Sequence, residues 1–386
     1  MKFNWMSNAP FANTGYGNQT RTFVPRLQAA GHEASVTAFY GLEGAILNWG
    51  GIQIYPKGRD VWGNDIAAAH TTHFGAKILI TLMDAWVCEP DMLQLHGVRW
   101  VPWFPVDMEP LPPAVARKVK KAYRRIAFSK FGERMVNDAG MDCYYVPHGI
   151  DTNVYKPIDR EEARERLGLP ADAFIVGTVS ANKGTPSRKS LPEQIEAFAL
   201  FKKKHSDAVF VVHSLKAEHG ENQGVNLPEV CEYHGLTVDK DVIFPDPYQL
   251  LIGYSDAYMN ALYNAFDVFL LPSMGEGFGI PIIEAQAAGC PVIVGDWTSM
   301  SELCLSGLAI PKEDAQPWWT PLGAYQFKPD VMAIVDHLEQ AYQKITPNWR
   351  KVAAKEARKY DADRITKKYW LPVLSEIEEA VGQWQR

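Results

Sequence analysis

The stretch LPSMGEGFGIPIIEAQAAGCPVIV, residues 271–294, joins the end of a strand, a glycine-rich loop and the start of a helix. The apolar run DVFLLPS that leads into it is typical of a buried strand. Glycine lets a loop backbone come close to a ligand and often ends a helix, whereas proline suits the first helical position. These residues are Gly275, Gly277, Gly279, Pro281 and Gly289. The stretch therefore predicts a strand, a loop and a helix N-terminus in succession.

The start of such a helix favours an anion, because its first amides are unpaired and the helix dipole is positive there. Glu276 lies before this point, and we place Glu284 in the first helical turn after it. A carboxylate repels phosphate but accepts hydrogen bonds from hydroxyls. The pattern therefore predicts a phosphate ligand with polyols on both sides, as in a nucleotide sugar. Alternatively, Glu276 is a solvated loop residue and Glu284 only favours the helix dipole.

Short apolar runs alternate with amphipathic helical patterns along the whole chain. The runs are KFNWM, ASVTAF, KILITL, RWVPWF, RIAFS and CYYVP, followed by FIVGTVS, AVFVVHS, DVIFP, DVFLLPS and PVIVGD. This alternation indicates an α/β fold with parallel sheets covered on both faces. A chain of 386 residues is expected to form two domains. We predict a first domain at 1–160, a second at 161–361, and a C-terminal helix at 362–386 that packs back on the first.

Composition excludes several classes of protein. The net charge of −6 argues against a general nucleic-acid coat. The five cysteines are scattered and form no C-x-x-C motif, which favours a reducing compartment and no zinc site. The first residues lack the apolar core of a signal peptide, and no run approaches the roughly 20 apolar residues of a spanning helix. We expect a cytoplasmic protein.

Three segments resemble retaining nucleotide-sugar glycosyltransferases of the GT-B fold, the family 4-like glycosyl transferases group 1. The family segment P-S, E-G-F-G-x-x-x-x-E-A-x-A-x-G-x-P-V matches residues 271–294. SKFGERMVNDAGMDCYYVPHGIDTNVYKP, residues 129–157, is similar to the end of the family's N-terminal domain, and RKSLPEQIEAFALF, residues 188–201, to its phosphate-site lysine and helix. The resemblance covers about residues 125–386. It implies two Rossmann-like domains that face each other across a cleft.

The resemblance assigns donor-site roles by position. Glu276 would bind hydroxyls of the transferred sugar, and Glu284 would hold the ribose hydroxyls. Lys189 would bind the diphosphate, whose charge grows in the transition state. The loop amides that would line the sugar and diphosphate are those of Gly277, Phe278 and Gly279.

One position departs from the family pattern. The family usually carries an arginine a few residues before the lysine, where this chain has Ala181 and Asn182. Lys183 or Arg188 could supply the second positive charge, although Arg188 could equally be a solvated neighbour of Lys189.

The first domain offers weaker candidates. Gly15 and Gly17 resemble the family's N-terminal glycine loop, though an ordinary turn fits as well. Arg21 follows in what we take as the first turn of the next helix, against the dipole preference, which suggests a role for its charge. The segment WVPWFPVDMEPLPP places Asp107 after a strand, where the family often has a histidine. Asp107 could orient or deprotonate the acceptor hydroxyl, or belong to a solvated proline-rich loop.

A basic segment, PAVARKVKKAYRR at residues 113–125, has the spacing of a helix with one apolar face. Its six positive residues are Arg117, Lys118, Lys120, Lys121, Arg124 and Arg125. They predict either a solvated face or a contact for an anionic acceptor, such as a lipid headgroup or nucleic acid. In the first case, a small neutral acceptor would be held by the aromatic-rich stretch at 100–107.

The sequence thus predicts a glycosyltransferase that moves a sugar from a UDP or GDP sugar to an acceptor hydroxyl. The resemblance implies retention of anomeric configuration. No cofactor and no metal are expected, since the D-x-D triplet of metal-dependent enzymes occurs only in the tail, at Asp361–Asp363. The alternatives are a nucleotide-sugar 2-epimerase of the same fold and a catalytically inactive sugar-nucleotide-binding module. The sequence alone does not identify the sugar, the nucleotide base or the acceptor.

Overall fold

The computed structural model describes residues 1–217 and 224–383, and their contacts divide the chain into two compact units. Unit 1 comprises Met1–Ile150, Thr320–Ala324 and the segment that begins at Tyr360, and unit 2 comprises Asp151–Trp319 and Tyr325–Lys359. The division lies at 150 rather than at 160. The amides of Lys156 and Ile158 donate to Asn260 and Asn264 of unit 2, at 3.0 and 2.9 Å, and so hold this segment there.

Unit 1 is built around an eight-stranded sheet in which all strands but one are parallel. Its strands are β1 (Lys2–Asn8), β2 (Glu33–Tyr40), β3 (Leu47–Trp49), β4 (Ile52–Pro56), β5 (Ile78–Leu82), β6 (Arg99–Phe104), β7 (Ile126–Ala127) and β8 (Tyr144–Tyr145). Its helices in this part of the chain are α1 (Gly15–Ala29), α2 (Ala67–His73), α3 (Pro90–Leu93), α4 (Pro113–Val119) and α5 (Lys130–Asp138), with short 3-10 turns at Ala85–Val87 and Leu95–Gly97. The strand order is β3-β4-β2-β1-β5-β6-β7-β8. The sequence missed the short antiparallel pair of β3 and β4.

Unit 2 contains a six-stranded parallel sheet and an antiparallel hairpin. The sheet strands are β9 (Phe174–Val179), β10 (Ala208–His213), β11 (Val242–Ile243), β12 (Val268–Leu271), β13 (Val292–Gly295) and β14 (Gly307–Ile310), and the hairpin is β15 (Ala315–Trp319) with β16 (Tyr325–Pro329). The helices are α6 (Arg160–Leu167), α7 (Leu191–Lys202), α8 (Leu227–Tyr233), α9 (Pro247–Ile252), α10 (Asp256–Ala265), α11 (Ile280–Ala287), α12 (Met300–Leu303), α13 (Val331–Lys344) and α14 (Pro347–Ala357), with a 3-10 turn at Lys312–Asp314. The sheet order is β11-β10-β9-β12-β13-β14.

Both sheets reverse their strand order at one point, between β1 and β5 in unit 1 and between β9 and β12 in unit 2. Ligands of open α/β sheets bind outside the carboxyl ends of the strands at such a reversal. The strands next to each reversal, β1, β5, β9 and β12, are buried along nearly their whole length, which explains why they read as continuous apolar runs. The loops that follow the strands next to each reversal are therefore the first place to look for a site.

The tail returns to unit 1 through a 3-10 turn at Arg358–Tyr360, α15 (Ala362–Ile365), a π-helical turn at Thr366–Trp370 and α16 (Leu371–Gln383). The predicted tail helix at 362–386 extends beyond the described residues. The indole of Trp370 is fully buried against Trp5, Trp103 and Phe23, with ring centroids 4.8–5.9 Å apart. This aromatic cluster anchors the tail to the core of unit 1.

Trp370→Ala should lower the free energy of unfolding by about 3–5 kcal/mol, because truncating a buried indole loses apolar burial and leaves a cavity. Urea unfolding followed by circular dichroism measures this loss. Glu379→Ala, at an exposed position of α16, is the control and should change stability by less than about 0.5 kcal/mol. Equal, small effects of both substitutions would show that the tail is not anchored by Trp370.

Candidate active site

Two loops of unit 2 meet at the reversal of strand order, one after β9 and one after β12. The Lys189 ammonium donates to Oε1 of Glu276, and the Ser273 hydroxyl donates to the same oxygen at 2.6 Å. Nη1 of Arg188 lies 3.9 Å from Oε2 of Glu276 and donates to the carbonyl of Gly275. The predicted donor residues Glu276, Lys189 and Arg188 are thus brought together.

The Glu276 carboxylate is ionised although it is only 5% exposed. Burial by itself raises the pKa of this carboxyl, but the charges of Lys189 and Arg188 outweigh it, and the pKa is lowered from its ordinary value. A buried ionised carboxylate accepts hydrogen bonds strongly and donates none. Its chemistry suits the binding of hydroxyl groups.

Backbone and hydroxyl contacts hold the glycine loop in place. The amide of Glu276 donates to Oγ1 of Thr298 at 3.2 Å. The Ser299 hydroxyl donates to the carbonyls of Glu276 and Phe278, at 2.8 and 2.6 Å. Thr298 and Ser299 follow β13, the next strand of the sheet. Sequence reasoning missed both residues, and their position after a strand that neighbours β12 is the signal that could have found them.

The loop ends where α11 begins. Gly279 has φ +107°, and a Cβ at this position would lie 2.8 Å from Cδ1 of Ile282. Only glycine is therefore accommodated without strain. The helix dipole is positive at this end of α11, next to Gly277 and Phe278, although Pro281 has no N–H and the Ile282 amide donates to the Gly279 carbonyl at 2.9 Å. Whether an anion binds at this helix start stays a prediction.

Glu284 lies one turn deeper than predicted, because α11 begins at Ile280 and places it in the second turn. Its carboxylate accepts a hydrogen bond of 2.8 Å from the Tyr263 hydroxyl. Burial raises the pKa of Glu284 to about 7, although hydrogen bonds from Tyr263 and Tyr155 oppose the rise. Whether it holds a ribose stays a prediction.

Asn182, at the position where the family usually has an arginine, makes hydrogen bonds to the backbone in this chain. The side-chain amide of Asn182 donates to the carbonyls of Leu215 and Val225, at 3.1 and 2.7 Å, and its oxygen accepts from the Val225 amide. Lys183 is exposed in the same loop. Of the two candidates for the second charge, Arg188 is the one beside Glu276.

In unit 1, the predicted glycine loop is part of a helix. The Thr14 hydroxyl caps α1 by accepting from the Gly17 amide at 3.0 Å, so Gly15 and Gly17 form its first turn. Glycine is required at 17, where a Cβ would lie 2.2 Å from the Ala12 carbonyl oxygen. Arg21 consequently lies in the second turn and not in the first. The dipole argument for its charge is therefore wrong.

Asp107 lies in the loop after β6 and is half-buried. Because it belongs to unit 1, its role toward an acceptor hydroxyl stays a prediction. The aromatic residues before it are core residues: Trp100 and Trp103 are fully buried in β6. The stretch at 100–107 does not supply the aromatic acceptor surface that the sequence suggested.

The basic helix at 113–125 is also shorter than predicted, since α4 ends at Val119. Much of its charge is already engaged. Lys118 and Lys121 pair with Glu89 and Asp91 at 2.7 Å, and Arg125 donates to backbone carbonyls, among them that of Val119 at 2.8 Å. These contacts favour a solvated structural face over an anion-binding surface.

Comparison with known proteins agrees with this geometry. Residues 173–321 match the family model described as glycosyl transferases group 1. The chain is 28% identical over 198 residues to a D-inositol 3-phosphate glycosyltransferase of Saccharomonospora viridis. The aligned region covers 49% of this chain and 43% of that protein. A D-inositol 3-phosphate glycosyltransferase 1 of Catenulispora acidiphila is 29% identical over 178 residues, or 43% of this chain and 39% of that one. The chain spans less than half the length of these curated relatives.

Solved structures are similar over the whole chain. Sucrose-phosphate synthase of Thermosynechococcus elongatus has a TM-score of 0.74 at 16% identity and covers 100% of this chain and 99% of its own. HepE of Anabaena, in complex with UDP-glucose, has a TM-score of 0.72 at 18% identity and covers 97% of this chain and 100% of its own. These likenesses confirm the predicted resemblance to GT-B glycosyltransferases and the predicted α/β class with parallel sheets. Within the described parts of the chain, no helix is both long and apolar enough to cross a membrane.

The raised pKa of Glu284 makes stability depend on pH. In the native state Glu284 keeps its proton up to about pH 7, whereas in the unfolded chain it releases the proton near the ordinary pKa of 4.5. Proton binding by Glu284 therefore adds to the free energy of unfolding at low pH, and this addition is lost as the pH rises from about 4.5 to about 7. Glu284→Gln does not titrate. Its melting temperature relative to wild type should therefore rise by on the order of a few degrees between about pH 5 and pH 7.5, as calorimetry can measure. A difference that is the same at both pH values would show that Glu284 titrates normally.

Proposed function

We propose that this protein transfers a sugar from a nucleotide diphosphate sugar to an acceptor hydroxyl, with retention at the anomeric carbon and without a metal ion. The observation that carries this proposal is the contact of Lys189 and Arg188 with the buried carboxylate of Glu276, just before α11. It combines cations, the positive end of a helix and a carboxylate that can accept hydrogen bonds from hydroxyls in one place. A diphosphate attached to a sugar presents the complementary groups.

In the proposed complex, Lys189 and Arg188 bind the diphosphate together with the amides of Gly277, Phe278 and Gly279. Glu276 binds sugar hydroxyls, and Glu284 binds the ribose. Several buried hydroxyls near this edge support a polar ligand, because they lack a hydrogen-bond partner among the residues that the structure describes. They belong to Thr178, Ser180, Ser187, Ser190 and Ser214.

The reaction that we propose is a transfer on one face of the sugar. The bond between the anomeric carbon and the diphosphate oxygen breaks, and its electron pair leaves with the diphosphate. The acceptor oxygen forms the new bond on the same face, and its proton passes to an oxygen of the leaving phosphate. Lys189 and Arg188 stabilise the charge that the diphosphate gains, which is the role that a metal ion has in other transferases.

The names of similar proteins support the donor class. Two matched relatives are glycosyltransferases, and HepE was solved with UDP-glucose. A UDP or a GDP sugar is the donor that we propose, and melting shifts with UDP-, GDP- and ADP-sugars would distinguish the bases. We also propose a reducing, cytoplasmic location, since all five cysteines are free thiols.

Lys189→Ala should lower kcat by about 10²-fold or more, because one electrostatic contact to developing charge is commonly worth that much. Release of nucleotide diphosphate from the donor sugar measures the rate. Lys203→Ala, an exposed lysine at the end of α7, is the matched control and should keep the wild-type rate.

Three outcomes would contradict the proposal. A folded Lys189→Ala variant with the wild-type rate would remove Lys189 from the diphosphate site. A new sugar isomer formed from the donor alone would indicate the epimerase. Tight donor binding without turnover, with every acceptor class tried, would indicate an inactive binding module.

Chelation should leave the activity unchanged, because the proposed site stabilises the leaving diphosphate with Lys189 and Arg188. The test compares initial rates with and without EDTA after dialysis against metal-free buffer. Activity that EDTA abolishes and Mn²⁺ or Mg²⁺ restores would overturn the metal-free mechanism while leaving the donor class intact.

A further inference from the structure

Two tryptophans are exposed at the carboxyl edge of the unit 1 sheet. Trp62 follows β4 and is 37% exposed, and Trp86 follows β5 and is 45% exposed. Because β4, β2, β1 and β5 run parallel, both loops leave the sheet at the same edge. This is the edge at which a ligand of unit 1 is expected.

The two indoles form one surface. Their ring centroids lie 6.5 Å apart at an interplanar angle of 68°, so the two exposed rings are in an edge-to-face arrangement. Trp62 also packs edge-on against Phe39, with centroids 5.8 Å apart, near the end of β2. No periodic pattern in the sequence marks this pair, because each indole follows a different strand.

A buried polar residue fixes the geometry of this surface. Asn64 is 2% exposed, and its side chain joins the loop of Trp62 to the loop of Trp86. It donates to Asp60 at 2.8 Å and to the Val87 carbonyl at 3.1 Å, and it accepts from the Glu89 amide at 2.8 Å. Asp60 in turn accepts from the Trp62 amide at 2.8 Å. Two exposed aromatic rings are thus held rigidly, as recognition surfaces require.

The charge around the indoles selects the kind of ligand. Residues 57–66 and 84–91 contain five acidic and two basic residues. Lys57 is paired with Glu43 at 2.6 Å, and Glu89 and Asp91 are paired with Lys118 and Lys121 at 2.7 Å. The other charged residues of these two segments are three acids and one base: Asp60, Asp65, Asp84 and Arg59. An anionic lipid or nucleic acid would be repelled by this surface. A neutral saccharide fits it, because the apolar face of a sugar ring stacks on an aromatic ring and carboxylates accept its hydroxyls.

We propose that the surface formed by Trp62 and Trp86 binds a neutral saccharide, and that this saccharide is the acceptor of the transfer. The second clause rests on the proposed function, whereas the first does not. Asn64 is a positioning residue, since it acts through the loops that carry the two indoles. The acceptor class would then be set by ring stacking in unit 1 and not by the basic segment at 113–125.

The test is direct binding of the whole protein to an array of neutral and acidic oligosaccharides. Wild type should bind neutral members, and Trp62→Ala should weaken that binding about tenfold, since truncation of an aromatic anchor often costs this much. Trp86→Leu should do the same while keeping an apolar side chain, which guards against a folding defect. Trp318→Ala is the matched control, because Trp318 is 41% exposed but lies on β15 of unit 2.

Binding to acidic members only, equal losses in all three variants, or no binding to any neutral saccharide would overturn the inference. Two further outcomes would do so by revealing another occupant. One is binding to phosphatidylglycerol vesicles, and the other is self-association in sedimentation, when either is lost in Trp86→Leu.

Binding of UDP and GDP to the wild type is measured in parallel by calorimetry. If neither nucleotide binds while neutral saccharides do, the proposed donor chemistry fails and the saccharide surface stands. If nucleotides bind and the tryptophan variants bind saccharides normally, only the present inference fails.

Discussion

The buried contact of Lys189 with Glu276 is the interaction on which the site in unit 2 depends. Removing two charges from water is costly, and their attraction repays this cost only when the geometry is good and other polar groups assist. Here Ser273 donates to the carboxylate and Arg188 adds a second positive charge. Such a pair contributes little to stability by itself. In the proposed complex, the pair would offer a cation to the diphosphate and a hydrogen-bond acceptor to the sugar hydroxyls.

The parallel sheet makes this contact possible. Lys189 and Glu276 lie 87 positions apart, yet β9 and β12 are neighbours, so the loops that follow them emerge side by side. The Met274 amide donates to the Arg188 carbonyl at 2.8 Å, which ties the two loops together through their backbones. A rigid connection matters, because electrostatic stabilisation of a transition state depends on groups that need not move during the reaction.

The sequence predicted those features whose signal is local. Apolar runs located most strands, and the glycine loop with its helix start was read from residues 271–294. The prediction that Glu276 and Lys189 belong to one donor site came from family resemblance, since no spacing rule links residues that follow different strands, and their direct contact was not predicted. Thr298, Asn64 and the pair of exposed tryptophans were missed for the same reason. For the basic segment the sequence left a solvated face and an anion contact both open, because its charges are engaged by Glu89, Asp91 and backbone carbonyls that only the fold brings near.

Glu276 and Glu284 show how one short segment gives two carboxyl groups opposite properties. Both are almost completely buried, and burial alone raises the pKa of each. At Glu276 nearby cations reverse the effect and keep the group charged. At Glu284 the partners are tyrosine hydroxyls, which are too weak to do so, and the pKa stays near 7. A carboxyl that titrates there can accept or donate a hydrogen bond. Seven residues therefore separate two different carboxyl groups. Glu276 stays charged and is suited to accept hydrogen bonds from sugar hydroxyls, whereas Glu284 can gain or lose a proton according to its ligand.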